Sequence, residues 1–205
     1  MNVFFEEVLD ENGEKMDTLE EEKQSKDQLL DTIDKMRTAG WPRNLPKDDH
    51  PGMDLPDPLT KDAMCDLLER LNEQARKETK KKKARNGIKD ILHAKYALQI
   101  ATGYMDIVRK LPSVVHVNTQ QSGKITVVGD LHGQLRDLIH IFRHNGMPSF
   151  DNPYLFNGDL VDRGDYSVEI VLLLFGFAVA DPGSIYINRG NHEDMTVCTL
   201  SLIHI

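Results

Sequence analysis

Three short polar blocks, each directly after a short apolar run, constrain the fold of this chain more than any other feature. The apolar runs are 125–128, 154–156 and 185–187, and the blocks that follow them are 129–133, 158–164 and 190–193. Helical patterns separate the blocks: Leu135, Leu138, Ile139 and Phe142 repeat at helical spacing, and Val168 to Val179 is almost continuously apolar. The repeated order of strand, loop and helix predicts an α/β fold, a parallel sheet flanked by helices. Ligands bind at the edge of such sheets where these loops gather.

The residue types in these loops indicate a metal site. Asp130 and His132 alternate around Leu131, so both can point from the strand end toward one cation. Asp159 lies at the equivalent place on the next strand, where its two oxygens can bridge two ions, and Asn191 offers a neutral oxygen. Mixed carboxylate, imidazole and amide ligands suit manganese, iron or zinc. We therefore expect two divalent ions, with manganese favoured and iron or zinc as alternatives.

Three further residues add groups suited to phosphate chemistry. The planar guanidinium of Arg163 matches phosphate oxygens, His192 can protonate a leaving alkoxide, and Asp162 can hold the His192 ring. A single Gly-Asp pair is an ordinary turn, and a lone histidine is usually a surface or core residue. The prediction therefore depends on all three blocks together. Four other histidines lack such a setting and are expected to be structural or solvent-facing: His93, His116, His140 and His144.

The three blocks are similar to the metal-binding signatures of the phosphoprotein phosphatase family, the calcineurin-like metallophosphoesterases. Segments 91–96, 152–159 and 188–194 resemble the branch of protein phosphatases with EF-hands, the retinal-degeneration-C type. The resemblance covers about Leu59 to Asp194 apart from a basic block. It implies an α+β four-layer metallophosphoesterase fold. It also implies a protein serine/threonine phosphatase that hydrolyses phosphoserine and phosphothreonine through a hydroxide activated by two metal ions.

The resemblance also implies a role for each site residue. Asp130, His132 and Asp159 match the ligands of the first ion, and Asp159 and Asn191 match part of the second set. His192 matches the proton donor and Asp162 its partner. Arg163 and Asn191 match groups that bind the substrate phosphate.

We expect four segments along the chain. Residues 1–58 form an acidic, proline-containing and largely disordered N-terminal segment, and 59–113 a helical lead-in with a basic insertion. Residues 114–194 form the N-terminal half of the catalytic domain, and 195–205 a tail unlike the family. The family completes its second metal site with two further histidines from later loops and adds another phosphate-binding arginine there, so we expect a C-terminally truncated fragment that is inactive by itself.

Local patterns predict elements of the lead-in. Thr60 is expected to cap a helix with apolar positions Met64, Leu67, Leu68 and Leu71. A second helix is expected after Gly87, with Ile88, Ile91, Leu92 and Tyr96 on one face and its end near Pro112. Two β-branched runs, 114–117 and 124–128, predict a hairpin.

Two charged segments have competing interpretations. Asp10, Asn12, Glu14 and Glu21 fall at calcium-loop positions, but Lys15 stands where that loop needs glycine, which favours a solvated acidic tail. A short amphipathic helix is expected after Ser25. Residues 76–85, which include Lys80–Lys83, fit a nuclear address, a calmodulin-type target or an anionic-surface patch. The lack of aromatic or large apolar anchors favours a solvated helix end or insertion loop.

Composition excludes several classes of protein. A net charge of −8 argues against a nucleic-acid binder, and two cysteines do not form a disulfide framework. The N-terminus lacks the basic n-region of a signal peptide, and the longest apolar run, 170–180, is too short for a membrane span. We expect a soluble intracellular protein, cytoplasmic or nuclear, that acts on phosphoproteins. Calmodulin or calcium-linked regulation is implied by the resemblance alone, since neither an IQ segment nor an EF-hand is recognisable in the sequence.

Two other functions stay open at this point. Nucleotide and dinucleotide phosphoesterases share the same three blocks, although the helical lead-in favours a protein phosphatase. A non-catalytic fragment that binds partners is the alternative outside the enzymes.

Overall fold

Helices and strands alternate along the part of the chain that the computed structural model describes, residues 52–81 and 87–194. In chain order the elements are α1 (Lys61–Lys81), α2 (Ala94–Val108), β1 (Thr126–Val128), α3 (Leu135–Asn145), β2 (Tyr154–Phe156), α4 (Ser167–Ala180) and β3 (Ile185–Ile187). Short 3-10 turns occur at Ile88–Asp90 and Asn191–Glu193. The calcium-loop pattern, the helix after Ser25, residues 82–85 of the basic block and the tail lie outside the described residues.

The three strands form a parallel sheet in the order β1-β2-β3. Thr126 pairs with Tyr154, which pairs in turn with Ile185, so the strands run in register and end at one edge. The middle strand is fully covered at Tyr154 and Phe156, as expected of a strand with helices on the sheet faces. The predicted parallel sheet flanked by helices is confirmed.

The helices that connect the strands supply much of the core. α3 buries the predicted apolar side chains Leu135, Leu138, Ile139 and Phe142, and the Phe142 ring packs edge-on against Tyr154 and Phe177 at centroid distances of 5.3 and 5.7 Å. α4 is apolar on most of its circumference because it packs against α1 and α2 as well as α3. Within the described residues, no helix is both long and apolar enough to cross a membrane.

The lead-in helices pack on α4. The Ala63 N–H donates to the Thr60 hydroxyl at 3.3 Å, which confirms the predicted cap of α1. The four predicted apolar positions of α1 are buried.

The prediction for the second helix is partly wrong. Residues 88–90 form a 3-10 turn, and the regular helix begins at Ala94 because the His93 ring accepts a hydrogen bond from the Lys95 N–H at 3.1 Å and caps it. α2 then stacks Tyr104 on Phe175 with ring centroids 4.0 Å apart.

The predicted hairpin is wrong. Residues 114–117 form no strand, and Val114 is 68% exposed. The connection 118–123 folds on itself, with the Gly123 N–H donating to the Thr119 carbonyl at 2.7 Å and the Gln120 N–H to the Asn118 side chain at 2.9 Å. β-Branched residues favour strands only where a partner strand and a covered face exist, and among the described residues β1 finds its partner in β2.

Candidate metal centre

Three loops meet where the parallel strands end: loop 1 (129–134) after β1, loop 2 (157–166) after β2 and loop 3 (188–194) after β3. Backbone hydrogen bonds join loop 1 to loop 2. The N–H groups of Leu131 and His132 both donate to the Asp159 carbonyl, at 3.0 and 2.9 Å, and the Gly133 N–H donates to the Leu160 carbonyl at 2.9 Å. The first two polar blocks are thus held together by main chain, independently of their side chains.

Glycines permit this close approach. Gly133 has φ +70°, and a Cβ atom there would collide with the carbonyl group of Gly164. Gly158, with φ +90°, lies against the backbone nitrogen of Gly190 in the same way. Only glycine combines this left-handed conformation with backbone contact of that kind.

Asp130, His132 and Asp159 converge as the sequence predicts. Each offers one ligand atom, and these atoms all lie within 4.8 Å of one another. The His132 ring has a fixed role, because its Nδ1 lies 2.9 Å from the Val161 carbonyl oxygen, which can only accept a hydrogen bond. Nδ1 therefore carries the proton, and in the neutral ring Nε2, 3.5 Å from Asp130 Oδ2, keeps its lone pair. Two carboxylates and a free imidazole nitrogen are a donor set that fits a divalent transition metal.

A second histidine lies beside this group. The His192 and His132 rings meet edge to face with centroids 4.7 Å apart. His192 Nδ1 lies 2.9 Å from Asp162 Oδ2, and both side chains are mostly buried. Since the carboxylate accepts, Nδ1 is the protonated nitrogen. Its Nε2 lies 3.4 Å from the Arg163 guanidinium, which can only donate, so the exposed Arg163 side chain is next to the same ring. The predicted trio of Asp162, Arg163 and His192 is thus brought together.

Asn191 begins the 3-10 turn of loop 3, and its side chain is exposed. The next residue holds this turn against loop 2, because the His192 N–H donates to Asp159 Oδ1 at 3.0 Å. Asn191 therefore lies in the same loop cluster as the predicted first ion. Its role as a ligand stays a prediction.

Glu193 is the residue of the site that sequence reasoning missed. Its carboxylate accepts four backbone N–H groups: Asp159 and Gly190 at 2.8 Å on Oε2, and Leu160 at 2.7 Å and Val161 at 3.3 Å on Oε1. The available signal was the spacing of a capping box, a glutamate three residues after Gly190. That spacing explains the bond to Gly190 but not those to loop 2.

Comparison with known proteins agrees with this geometry. Residues 123–202 match the family described as calcineurin-like phosphoesterase. Over 106 residues the chain is 53% identical to serine/threonine-protein phosphatase 5 of Arabidopsis thaliana, and over 104 residues it is 47% identical to mouse serine/threonine-protein phosphatase with EF-hands 1; the two alignments cover 52% and 51% of this chain. Both types of phosphatase therefore match to a similar extent.

A longer alignment and a solved structure extend this likeness. Serine/threonine-protein phosphatase T of Aspergillus oryzae is 43% identical over 146 residues, which are 71% of this chain. A solved serine/threonine phosphatase from Saccharomyces cerevisiae, described as similar to human phosphatase PP5, superposes with a TM-score of 0.51 at 37% identity. That superposition covers 54% of this chain and 36% of the other.

The aligned segments represent 20%, 27% and 16% of the Arabidopsis, Aspergillus and mouse relatives, so the chain spans about a fifth of the length of the curated proteins it matches. Residues 123–202, which match the family, include loop 1, loop 2 and loop 3 with the side chains described above. The chain therefore contains a segment, residues 123–202, that matches the calcineurin-like phosphoesterase family, and over about half of its length it is similar to serine/threonine-protein phosphatases.

Proposed function

We propose that this segment serves a metal-dependent protein serine/threonine phosphatase, which releases phosphate from phosphoserine and phosphothreonine. One observation carries the proposal: the Asp130, His132 and Asp159 group lies beside the Asp162–His192 pair, with the two imidazole rings 4.7 Å apart. A metal-ligand group next to a proton-carrying pair is what hydrolysis of a phosphoester requires. The names of the relatives support a phosphoprotein substrate.

The metal role follows from the donor set. Asp130, Asp159 and His132 Nε2 would hold the first ion, with Asp159 and Asn191 in the second set. Divalent ions bound there would polarise the phosphoryl group and lower the pKa of the attacking water. The chain's own contribution is to hold these atoms in place, through the Val161 carbonyl on His132 and the His192 N–H on Asp159.

The remaining groups act on the substrate. Arg163 is exposed and carries a fork of donors that fits two phosphate oxygens. His192 is oriented by Asp162 so that Nε2 faces Arg163, and a phosphate held by Arg163 would therefore lie within reach of the His192 ring. As water attacks phosphorus and the bond to the serine or threonine oxygen breaks, the imidazolium form of His192 would give its Nε2 proton to that oxygen and keep the Nδ1 proton that faces Asp162.

Mn²⁺ and phosphate titrations of the 205-residue chain test the proposal. We expect calorimetry to detect Mn²⁺ binding, and Asp130→Asn to weaken it at least 10-fold, because one of the three converging groups loses its charge. Arg163→Ala should leave Mn²⁺ affinity unchanged but weaken the binding of inorganic phosphate to the Mn²⁺-loaded chain.

The substrate class is tested by comparing a phosphoserine peptide with diadenosine tetraphosphate. Hydrolysis of the phosphoserine peptide without cleavage of the dinucleotide would support a protein phosphatase. Faster cleavage of the dinucleotide would instead support a nucleotide phosphoesterase. A wild-type chain without Mn²⁺ affinity would remove the basis of the proposal. Each comparison uses Asp130→Asn as its background.

A further inference from the structure

We infer that Glu193 is a positioning residue for the metal centre, which sets the geometry of Asp159 and His132 without being a ligand itself. This inference rests on the proposed metal-dependent function. Its evidence is the set of four backbone N–H groups, from Asp159, Leu160, Val161 and Gly190, that converge on one carboxylate.

The contacts divide evenly between the two carboxylate oxygens. Oε2 accepts from Asp159 and Gly190, both at 2.8 Å, and so joins the first residue of the metal group to loop 3. Oε1 accepts from Leu160 at 2.7 Å and from Val161 at 3.3 Å. An ionised carboxylate has only acceptors, and every group that faces it is a donor. The site is thus matched to a charged glutamate.

One path runs from Glu193 to Asp159. The backbone of Asp159 has φ +51°, a conformation that is unfavourable for a residue with a side chain and persists only where its surroundings hold it. The Glu193 carboxylate binds the N–H of that same residue. From the other side, the His192 N–H binds the Asp159 carboxylate at 3.0 Å. Loop 3 therefore fixes both the main chain and the side chain of Asp159.

A second path runs from Glu193 to His132. Glu193 binds the Val161 N–H, and the carbonyl of the same residue binds His132 Nδ1 at 2.9 Å. Rotation of the Val161 peptide groups would turn that carbonyl away from the ring. The His132 tautomer with its proton on Nδ1 and none on Nε2 would then no longer be favoured. Asp159 and His132 are two of the three groups that converge, so a single side chain positions most of the ligand set.

Glu193→Gln is the sharp test because it keeps the size of the side chain. Its amide must point an NH₂ donor at one of the two pairs of N–H groups, whichever way it is turned, so half of the contacts become donor against donor. We expect the Mn²⁺ dissociation constant to rise 10- to 100-fold, the range typical of residues that orient metal ligands. The electron paramagnetic resonance spectrum of the bound Mn²⁺ should change as well.

Asp194→Asn is the matched control. It removes the same charge one residue away, from a carboxylate bonded to the Arg189 guanidinium at 2.7 Å. If the effect of Glu193 were only its negative charge near a cation, both variants would lose affinity alike. We expect Asp194→Asn to stay within about 3-fold of the wild type and to keep its spectrum.

The measurements separate positioning from stability. All titrations are made on the 205-residue chain at a temperature where circular dichroism shows the variant folded. A lower Tm for metal-free Glu193→Gln with unchanged Mn²⁺ affinity and spectrum would overturn the inference, since Glu193 would then only stabilise the loops. If Glu193→Gln does not fold, Glu193→Asp takes its place. This variant keeps the charge but is one methylene shorter, and a folded Glu193→Asp with wild-type affinity would equally overturn the inference.

The outcome also distinguishes this inference from the proposed function. Wild-type Mn²⁺ binding that Asp130→Asn abolishes and Glu193→Gln leaves intact would overturn the role of Glu193 alone. A wild-type chain that binds no Mn²⁺ would overturn the metal centre and the positioning role together.

Discussion

Four residues of the candidate centre have positive φ angles although none is glycine: His132 (+43°), Asp159 (+51°), Asp162 (+72°) and Arg163 (+64°). Such conformations are uncommon for residues with a Cβ atom and persist only where neighbouring contacts hold them. For His132 and Asp159 these contacts are the backbone bonds between loops 1 and 2 and the carboxylate of Glu193. At the other two residues, the Arg163 N–H donates to Asp162 Oδ1 at 2.8 Å. Among the described residues, non-glycine residues with positive φ are thus confined to the candidate centre.

Hydrogen-bond partners assign the proton of both site histidines. Nδ1 of His132 faces the Val161 carbonyl, and Nδ1 of His192 faces the Asp162 carboxylate. In alkaline solution we expect the ¹⁵N spectrum of the metal-free chain to show Nδ1–H and a bare Nε2 for both histidines. Asp162→Ala should remove the preference of His192 for the Nδ1–H form and leave the tautomer of His132 unchanged, so His132 is the internal control. An Nε2–H form of His192 in the wild type would contradict the assignment.

The convergence of three side chains at the candidate centre could be predicted from the sequence, whereas the contacts that hold them in place could not. Asp130, His132 and Asp159 each follow a strand-like run, and parallel strands bring their ends together, so spacing alone predicts their convergence. Glu193 binds loop 2 across about thirty residues of chain. Its role depends on where two loops meet in space, and no local pattern encodes that.

At the scale of elements, apolar periodicity predicted the helices that bury one face. β propensity alone did not predict the strands, because a strand also needs a partner strand beside it. α3 has a clear apolar stripe, and all four of its predicted core residues are buried. Residues 114–117 and 126–128 are both rich in β-branched residues, yet only the second run has a strand beside it. Apolar spacing alone predicted one helix after Gly87, whereas the His93 cap starts a separate regular helix at Ala94.

An ion pair between helices gives a pH prediction at this scale. Arg143 of α3 donates to both carboxylate oxygens of Glu69 on α1, at 2.9 and 3.1 Å, and this hydrogen bond lowers the pKa of Glu69. A lowered carboxyl pKa stabilises the fold above the ordinary glutamate pKa of about 4.3, and the stabilisation is lost as the pH falls through the folded-state value.

We therefore expect Glu69→Gln to reduce the free energy of unfolding at pH 7 by about 0.2–1 kcal/mol, the range for exposed ion pairs. The difference from wild type should disappear in strongly acidic solution. Urea unfolding at both pH values measures it. Glu73→Gln is the control, since the Glu73–Lys77 pair is 3.8 Å apart and mostly exposed, and it should have little effect. An equal loss for Glu69→Gln at acidic pH would show that the contact is not electrostatic.

At the scale of the whole described chain, the lead-in helices and the site loops are joined rather than merely adjacent. α4 connects β2 to β3 and packs against both α1 and α2. At the start of α4, the Tyr166 N–H donates to the Gly133 carbonyl of loop 1 at 3.2 Å. The hydroxyl of the same residue donates to the Glu78 carboxylate of α1 at 2.7 Å. Tyr166 thus connects the lead-in to the loop cluster, and we expect both to unfold in one transition.

Tyr166→Phe tests this connection because it removes the hydroxyl and keeps the ring. The bond is partly buried and its acceptor is a carboxylate, so we expect a loss of about 1.5–3 kcal/mol in the free energy of unfolding by urea. Mn²⁺ affinity should stay at the wild-type value, since the backbone bond to Gly133 remains. Tyr96→Phe is the matched control: its hydroxyl donates to Asp54 at the same 2.7 Å, but in an exposed setting, and its loss should be about 0.5–1.5 kcal/mol. Two separate unfolding transitions in Tyr166→Phe would support the link between the lead-in helices and the loops. A loss of unfolding free energy no larger than that of Tyr96→Phe would instead show that apolar packing alone holds these helices to the site.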